Sequence, residues 1–338
     1  MDRVDVAIVG CGIFCEVHAK AYRGFSQSNL VAVCDIDARR ARQMAEKYAC
    51  RYSTNIEEIA CDPQIQAVSV VTPDFTHVEP CVVLAQAGKH LLIEKPLATS
   101  VADAEKIVAA VTKAGVICMV DFHNRYNPAF APIKEQLDHG QLGRPQMMYV
   151  RLSDRIEVAS EWFNWSGKSG PEWFLGSHIA DLACWLFGEL PVRVFADGQK
   201  EVLAGKGIDC YDSVQIHLSF AKGMATLETS WIVPNSWPAV CNFYASLQTT
   251  TGRADVELGK QATTIARADG FEWPFILGQT AIGAEEFGFF KLPIRDFVRA
   301  VARGAGSPIG VQEGLNNVRI IAAALESMRT KQVVELSW

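Results

Sequence analysis

No stretch of this chain is apolar for long enough to cross a bilayer as a helix. No excess of basic residues is present either: 32 Lys and Arg against 38 Asp and Glu leave a net charge of −6. That balance argues against nucleic acid or an anionic membrane surface as the main partner, because both reward a basic patch. No Cys-x-x-Cys pair occurs among the ten cysteines. Scattered thiols inside apolar runs read as small buried hydrophobes in a reducing compartment, and no metal site is expected. Internal repeats, low-complexity tracts and long linkers are also missing. The opening Met1-Asp2-Arg3-Val4-Asp5 lacks the basic-then-apolar layout of a secretory signal, so a cytoplasmic location is expected. What remains is 338 residues, 49% hydrophobic and 21% charged, enough for two domains with cores of their own.

The first informative run is Val4-Asp5-Val6-Ala7-Ile8-Val9, a short strand, followed by Gly10-Cys11-Gly12-Ile13-Phe14-Cys15. This is a dinucleotide fingerprint with a cysteine in the third glycine position. The first glycine permits the tight turn, the second lets a pyrophosphate approach the backbone, and the third position needs only a small residue. The pyrophosphate would rest on the N-terminus of the following helix, 13–24, where free N–H groups and the dipole favour anions. Gly10, Gly12, Ile13 and Phe14 are therefore cofactor-binding candidates. A second strand, 30–34, ends in Asp35, 25 residues beyond Gly10. A carboxylate there accepts from ribose hydroxyls and repels the 2′-phosphate of NADP, although Arg39 and Arg40 are placed to hold such a phosphate. NAD is expected in preference to NADP. The plain alternative for Asp35 is a turn acid capping the next helix.

The alternation continues with helices at 38–48, 55–60, 77–87 and 101–114, and strands at 67–71, 91–93 and 116–120. Strands separated by amphipathic helices predict βαβ units in a doubly wound parallel sheet. Thr72-Pro73-Asp74, with His77 just beyond, and Glu94-Lys95-Pro96 would then lie at strand ends on the same rim as the glycine loop. Open α/β sheets bind ligands at that rim, which makes Lys95 a candidate for chemistry beside a nicotinamide. The plain alternative is a strand ending in solvated charges.

Near Phe122 the rhythm changes, and His123-Asn124-Arg125-Tyr126-Asn127-Pro128 reads as a domain junction. A helix at 129–139 follows. Seven β-rich runs come next, at 147–152, 192–196, 213–220, 224–233, 242–249, 254–258 and 263–267, which predict a mostly antiparallel sheet of about six strands. Ala221-Lys222-Gly223 is a hairpin turn. Helices at 294–302 and 311–328 close the chain. The expected organisation is an α/β protein: an N-terminal Rossmann domain, 1–122, and a C-terminal α+β domain with an open sheet, 123–338. One helix, 176–188, interrupts the β region. Its His178 and Asp181 are three apart and share a face, either as functional groups or as a buried structural pair. Trp162, Trp165 and Trp173 crowd the Gly-, Ser- and Pro-rich stretch before it, and such aromatics suit either a sugar face or ordinary core.

Together these motifs resemble the Gfo/Idh/MocA oxidoreductases, the glucose–fructose oxidoreductase and inositol dehydrogenase family. The matching pieces are Gly10-Cys11-Gly12 with His18, Asp35, Thr72-Pro73-Asp74 with His77, Glu94-Lys95-Pro96, Arg125-Tyr126 with Pro128, and Gly176-Ser177-His178 with Asp181, besides the closing segment, 297–336. The resemblance implies hydride transfer between NAD and a secondary alcohol of a sugar, cyclitol or sugar derivative. It implies Lys95 and His178 as catalytic groups, with Asp181 orienting His178 and either of the first two holding the proton. Gly10, Gly12, Ile13, Phe14, Asp35, Thr72, Pro73, His77, Glu94 and Lys95 would bind the cofactor. Lys95, Arg125, Tyr126, Trp165 and His178 would bind the substrate. It also implies a homodimer or homotetramer assembled through the C-terminal sheet, and a cis Lys95–Pro96 bond. One position departs: the family carries an aspartate four residues before the histidine, where this chain has Phe174. That departure leaves open a redox-neutral enzyme that cleaves glycosides through transient oxidation. The family frame also accommodates a non-catalytic, cofactor-sensing regulator, which the presence of Lys95 and His178 disfavours. An NADPH-dependent reductase fits the frame as well, and Asp35 disfavours it.

Overall fold

The computed structural model describes residues 3–267, 270–283 and 285–338. The chain forms two compact units, Met1–His123 with Gln279–Val318, and Asn124–Gly278 with Arg319–Trp338. A single break at 122/123 was the expectation. Instead, the segment from Gln279 returns to the first unit.

In the first unit, β1 (Val4–Val9), α1 (Ile13–Gly24), β2 (Ser28–Cys34), α2 (Ala38–Tyr48), β3 (Arg51–Ser53), α3 (Ile56–Cys61), β4 (Ala67–Val70), α4 (Val78–Gln86), β5 (His90–Glu94), α5 (Val101–Ala114) and β6 (Cys118–Asp121) follow one another. The sheet order is β3-β2-β1-β4-β5-β6, with every pairing parallel. β1, β4 and β6 are buried almost throughout. That is the pattern of strands covered on both faces, and it suits their mostly apolar sequences, Val-Asp-Val-Ala-Ile-Val, Ala-Val-Ser-Val and Cys-Met-Val-Asp. The helices begin and end where local chemistry dictates. Asp37 caps α2 by accepting from the N–H groups of Arg39 and Arg40. Ser100 caps α5 in the same way, and Gly115 closes it in the left-handed conformation. The Lys95–Pro96 peptide bond is cis.

The second unit begins with α6 (Ala131–Asp138) and β7 (Pro145–Arg155). Then come α7 (Pro171–Phe174), α8 (Gly176–Phe187), β8 (Arg193–Gln199), β9 (Ser213–Phe220), β10 (Gly223–Val233), β11 (Cys241–Thr249) and β12 (Arg253–Glu257). Two small hairpins follow, β13 (Ile265–Arg267) with β14 (Gly270–Glu272), and β15 (Thr280–Ile282) with β16 (Glu285–Phe287). Next are α9 (Lys291–Arg303), α10 (Val311–Thr330) and β17 (Val334–Glu335). β15, β16 and α9 belong to the first unit.

The large sheet of the second unit runs β12-β11-β7-β10-β9-β8-β17. Its pairings are antiparallel except for β7 with β10. In β9 and β11 burial alternates residue by residue, so one face packs on the core and the other is open. β9 and β10 turn over Ala221-Lys222, with Phe220 opposite Gly223. The run at 263–267 does not join this sheet. Its three strand residues are all exposed and pair only with β14.

Gly10 carries the tightest constraint in the first unit. Its φ is +100°, and a Cβ there would lie 2.7 Å from the backbone carbonyl of Val71. Gly10→Ala should therefore lower stability by about 2 kcal/mol or more, since backbone on both sides would have to move. Gly12→Ala is the control, because a Cβ at Gly12 meets nothing. Urea midpoints of the two variants check this, and equal midpoints would show that the loop yields freely.

Candidate active site

The candidate residues fall into two sets, one in each unit. The set in the first unit gathers at the carboxyl ends of β1, β2, β4, β5 and β6. Gly10 N–H donates to Cys34 O at 2.8 Å, tying the glycine loop to β2. Asp35 reinforces that tie. Its Oδ2 accepts from Cys11 N–H at 2.7 Å and its Oδ1 from Asp37 N–H at 2.8 Å. The acid that caps α2 is thus Asp37, while Asp35 braces the loop from beneath. Arg39 and Arg40 both pair with Asp37.

Several features fit a dinucleotide. Gly12 is the N-cap of α1 and offers no capping side chain, which suits a helix start that takes an anion, and Cys15 N–H turns back to Gly12 O at 3.2 Å. A Cβ at Gly12 would project into open space, where a phosphate needs to come close. Ile13 beside it is exposed, and Phe14 packs against Phe290 with ring centroids 6.4 Å apart. Thr72 Oγ1 is buried and makes no hydrogen bond. The two ring nitrogens of His77 lie 3.0 Å from Thr72 O and Pro96 O, between the turn at Thr72-Pro73 and the one at Lys95-Pro96, and the neutral ring donates to one of the two carbonyls at a time. Burial lowers its pKa, against the pull of Asp74 and its hydrogen bonds.

Lys95 is buried at the end of β5, beside Glu94. His18 Nε2 donates to Glu94 Oε1 at 3.0 Å and lies 3.8 Å from Asp121 Oδ2. In that tautomer His18 Nδ1 accepts from Ser69 Oγ at 3.0 Å, and Ser69 accepts from Tyr22 OH at 2.5 Å. Glu94 and Asp121 face each other in register across β5 and β6. His18, Glu94 and Asp121 each bring a metal-ligand atom within 4.8 Å of the others. With the Lys95 ammonium coupled to both carboxyls, we read them as a hydrogen-bonded charge set.

Burial pushes Glu94 up, but the His18 hydrogen bond and the positive charges around it prevail and hold its carboxyl below the ordinary range. Asp121 goes the other way. Burial and the Glu94 charge raise it well above the ordinary carboxylate range against the pull of Lys95, and its Oδ1 makes no hydrogen bond. Burial lowers His123 to about 4, with Glu94 opposing and Lys95 and His18 adding to the shift. Its ring packs on Phe290 at 4.6 Å and Phe289 at 5.9 Å. Sequence reasoning missed Asp121, Ser69, Tyr22 and His123. The available signal for Asp121 was an acid ending the strand next to Glu94.

The set in the second unit is built on α8 and the junction before α6. Arg125 grips Asp181 bidentately, Nε to Oδ2 at 2.9 Å and Nη2 to Oδ1 at 2.6 Å. Asp181 is only 4% exposed, so the pair is largely desolvated and geometrically fixed. Asp181 was expected to orient His178. Both of its oxygens accept from Arg125, which holds the guanidinium in place. His178 is buried, three residues earlier on the same helix. Phe174 enters an aromatic cluster. Its ring lies 5.1 Å from Phe163, 6.2 Å from Trp165 and 5.7 Å from Trp231, while Phe163 and Trp165 stack at 4.5 Å. Trp173 is core, and Trp162 is exposed.

Opposite pH signatures follow from Asp121 and His123. A carboxyl raised in the folded state adds stability only below its unfolded value, and costs about 1.4 kcal/mol per pH unit above that until the folded value is passed. Asp121→Asn should therefore stabilise the protein by a margin that grows as pH rises above about 4. A histidine lowered to about 4 costs stability as pH falls from about 6.5, roughly 2 kcal/mol by pH 5. His123→Phe should remove that loss. Urea unfolding of both variants across this range is the check, and pH-independent differences would refute the assignment.

Comparison with known proteins agrees with this frame. Residues 4–122 match the model of an oxidoreductase family with an NAD-binding Rossmann fold. Residues 130–254 match the GFO/IDH/MocA C-terminal domain. Inositol 2-dehydrogenase of Rhizobium meliloti (strain 1021) is 29% identical over 350 aligned positions covering 99% of each chain. The scyllo-inositol 2-dehydrogenase (NADP(+)) of Bacillus subtilis (strain 168) is 30% identical over 83% of this chain and 82% of its own. The fold is shared with a levoglucosan dehydrogenase solved with NADH and levoglucosan, at a TM-score of 0.85, 21% identity and full coverage of both chains. A Rossmann sheet with this glycine loop and buried Glu94-Lys95 end, joined to a matching C-terminal domain, places the chain in the Gfo/Idh/MocA oxidoreductase family.

Proposed function

We propose that this protein is an NAD-dependent dehydrogenase of a secondary alcohol carried by a sugar, cyclitol or sugar derivative. The observation that carries the reading is Lys95, an ammonium buried at the end of a central parallel strand beside a carboxylate that His18 keeps ionised. The named activities of the inositol dehydrogenases and of the levoglucosan dehydrogenase support the substrate class. Asp35 favours NAD over NADP, since its carboxylate is fixed at the end of β2 and both nearby arginines are engaged by Asp37. One homologue named for NADP(+) marks where this preference needs measurement.

When bound, the nicotinamide supplies the hydride acceptor. Lys95 donates a hydrogen bond to the substrate oxygen as the carbonyl develops. His178 takes the hydroxyl proton as general base. The Asp181–Arg125 pair holds Arg125 and Tyr126 as substrate-binding groups. Gly10, Gly12, Ile13, Phe14, Asp35, Thr72, Pro73 and His77 form the cofactor cradle. The open face of the large sheet exposes Met147 and Met224 (53% and 45%), and we assign it to assembly of a homodimer or homotetramer in the cytoplasm. A second reading, redox-neutral glycoside cleavage, is favoured by Phe174, which puts an aromatic ring where the family carries an acid.

Lys95→Met should reduce turnover by about 10²- to 10⁴-fold and leave NAD binding within a few-fold of wild type. Purified protein with NAD and a panel of free sugars, inositols, sugar acids and aryl glycosides, followed for NADH and aryl alcohol together, decides the rest. NADH growth supports the dehydrogenase, and aryl alcohol release without net NADH supports the second reading. Wild-type turnover by Lys95→Met would remove both.

A further inference from the structure

Phe163, Trp165 and Phe174 are each half-buried, and their rings touch one another. Trp231, behind Phe174, is fully buried. The cluster therefore has an anchored base and an accessible side. Single exposed aromatics are ordinary on a protein surface, but three rings packed against one another, one pair stacked and the third at 60° and 58° to them, and only partly covered, form a continuous apolar surface.

The backbone beneath holds this surface in place. The Ser166 hydroxyl is buried and sits within hydrogen-bond reach of Ala159 O at 2.7 Å and Phe163 O at 3.0 Å, which pins the turn between Phe163 and Trp165. Lys168 N–H donates to Trp165 O at 2.8 Å. Pro171 opens α7, and Phe174 N–H donates to Gly170 O at 2.9 Å. Rings so held lose little freedom when a ligand arrives. Phe174 ends α7 and precedes His178, in the first turn of α8, by four residues. A phenyl ring neither takes nor gives a proton, so the role open to Phe174 is binding.

We infer that Phe163, Trp165 and Phe174 form a recognition plate for a flat apolar part of the substrate, with Phe174 setting the specificity. The matching chemistry is an aryl substituent or an unsubstituted C–H face on a sugar derivative. A free polyol with hydroxyls on every side would leave polar groups against the rings without partners, which weakens binding. This inference rests on the sugar-alcohol reading above and names the part of the substrate that reading leaves open.

The test is a binding titration of the NAD-loaded protein, so that it does not depend on turnover. The probes are the phenyl and methyl glycosides of glucose, galactose and mannose, with myo-inositol alongside. We expect a phenyl glycoside to bind at least tenfold more tightly than its methyl counterpart, and the ratio to fall towards one in Phe174→Ala and Phe174→Asp. Phe174→Tyr should retain the ratio, which separates loss of the ring from loss of fold. Equal phenyl and methyl affinities that both drop at least tenfold in Phe174→Ala assign the plate to the sugar's own C–H face. Equal affinities that Phe174→Ala leaves unchanged, or no binding of any phenyl glycoside, overturn the inference. Discrimination in binding without turnover of any alcohol keeps the plate and overturns the dehydrogenase reading alone.

Discussion

Burying the Lys95 ammonium is the constraint that shapes the first unit. An isolated charge in a protein interior is very costly, so Lys95 cannot stand at the end of β5 without compensation. Glu94, the preceding residue, supplies a carboxylate, and that carboxylate in turn needs donors. His18 reaches it from α1, and His18 is set in its tautomer by Ser69 on β4 and Tyr22 on α1. The neighbouring strand ends in Asp121, whose carboxyl burial and the Glu94 charge push well above the ordinary carboxylate range against the pull of Lys95. One buried cation thus fixes side chains on α1, β4, β5 and β6.

The glycine loop obeys a second, purely steric constraint. β1 must pass so close to the turn after β4 that Gly10 tolerates no Cβ, and the loop is then locked to β2 through Cys34 O and Asp35. In the proposed cofactor site Asp35 would carry two functions that do not compete. Its carboxylate accepts two backbone N–H groups, yet each oxygen keeps capacity for a ribose hydroxyl. Fixing the acid in advance is what makes it a discriminating group, since a mobile carboxylate could swing away from a 2′-phosphate.

Much of this was legible from residue order because the governing effects are local. The β1–glycine loop–α1 unit, α2, α5 and β9 have the predicted bounds, since strand hydrophobicity, caps and turn glycines act over a few residues. What was not legible depends on partners far away in sequence. β3 is three residues at a sheet edge with no apolar run, and β17 is two residues paired with β8 across the unit. The parallel pairing of β7 with β10 leaves no mark on either strand, because burial alternates the same way in both directions. The run at 263–267 has β-forming residues but no face to bury, and it remains a small exposed hairpin. Asp181 shows the same limit within the site. Three-residue spacing sets Asp181 on the face of His178, while Arg125, 56 residues away in sequence, is a partner that no local pattern announces.

That pairing changes how the second unit supports chemistry. A carboxylate committed bidentately to a guanidinium carries little net charge towards its surroundings, so it stabilises a neighbouring imidazolium less than a lone aspartate would. In the proposed mechanism His178 is the base, and this pair, not a lone carboxylate, stands one turn along its helix. Phe174 extends the same logic. By standing where a second acid would be, it removes another negative charge from the vicinity of His178 and adds apolar surface. On the proposed reading the second unit thereby shifts weight from proton handling to substrate fit, while the buried charges of the first unit remain intact.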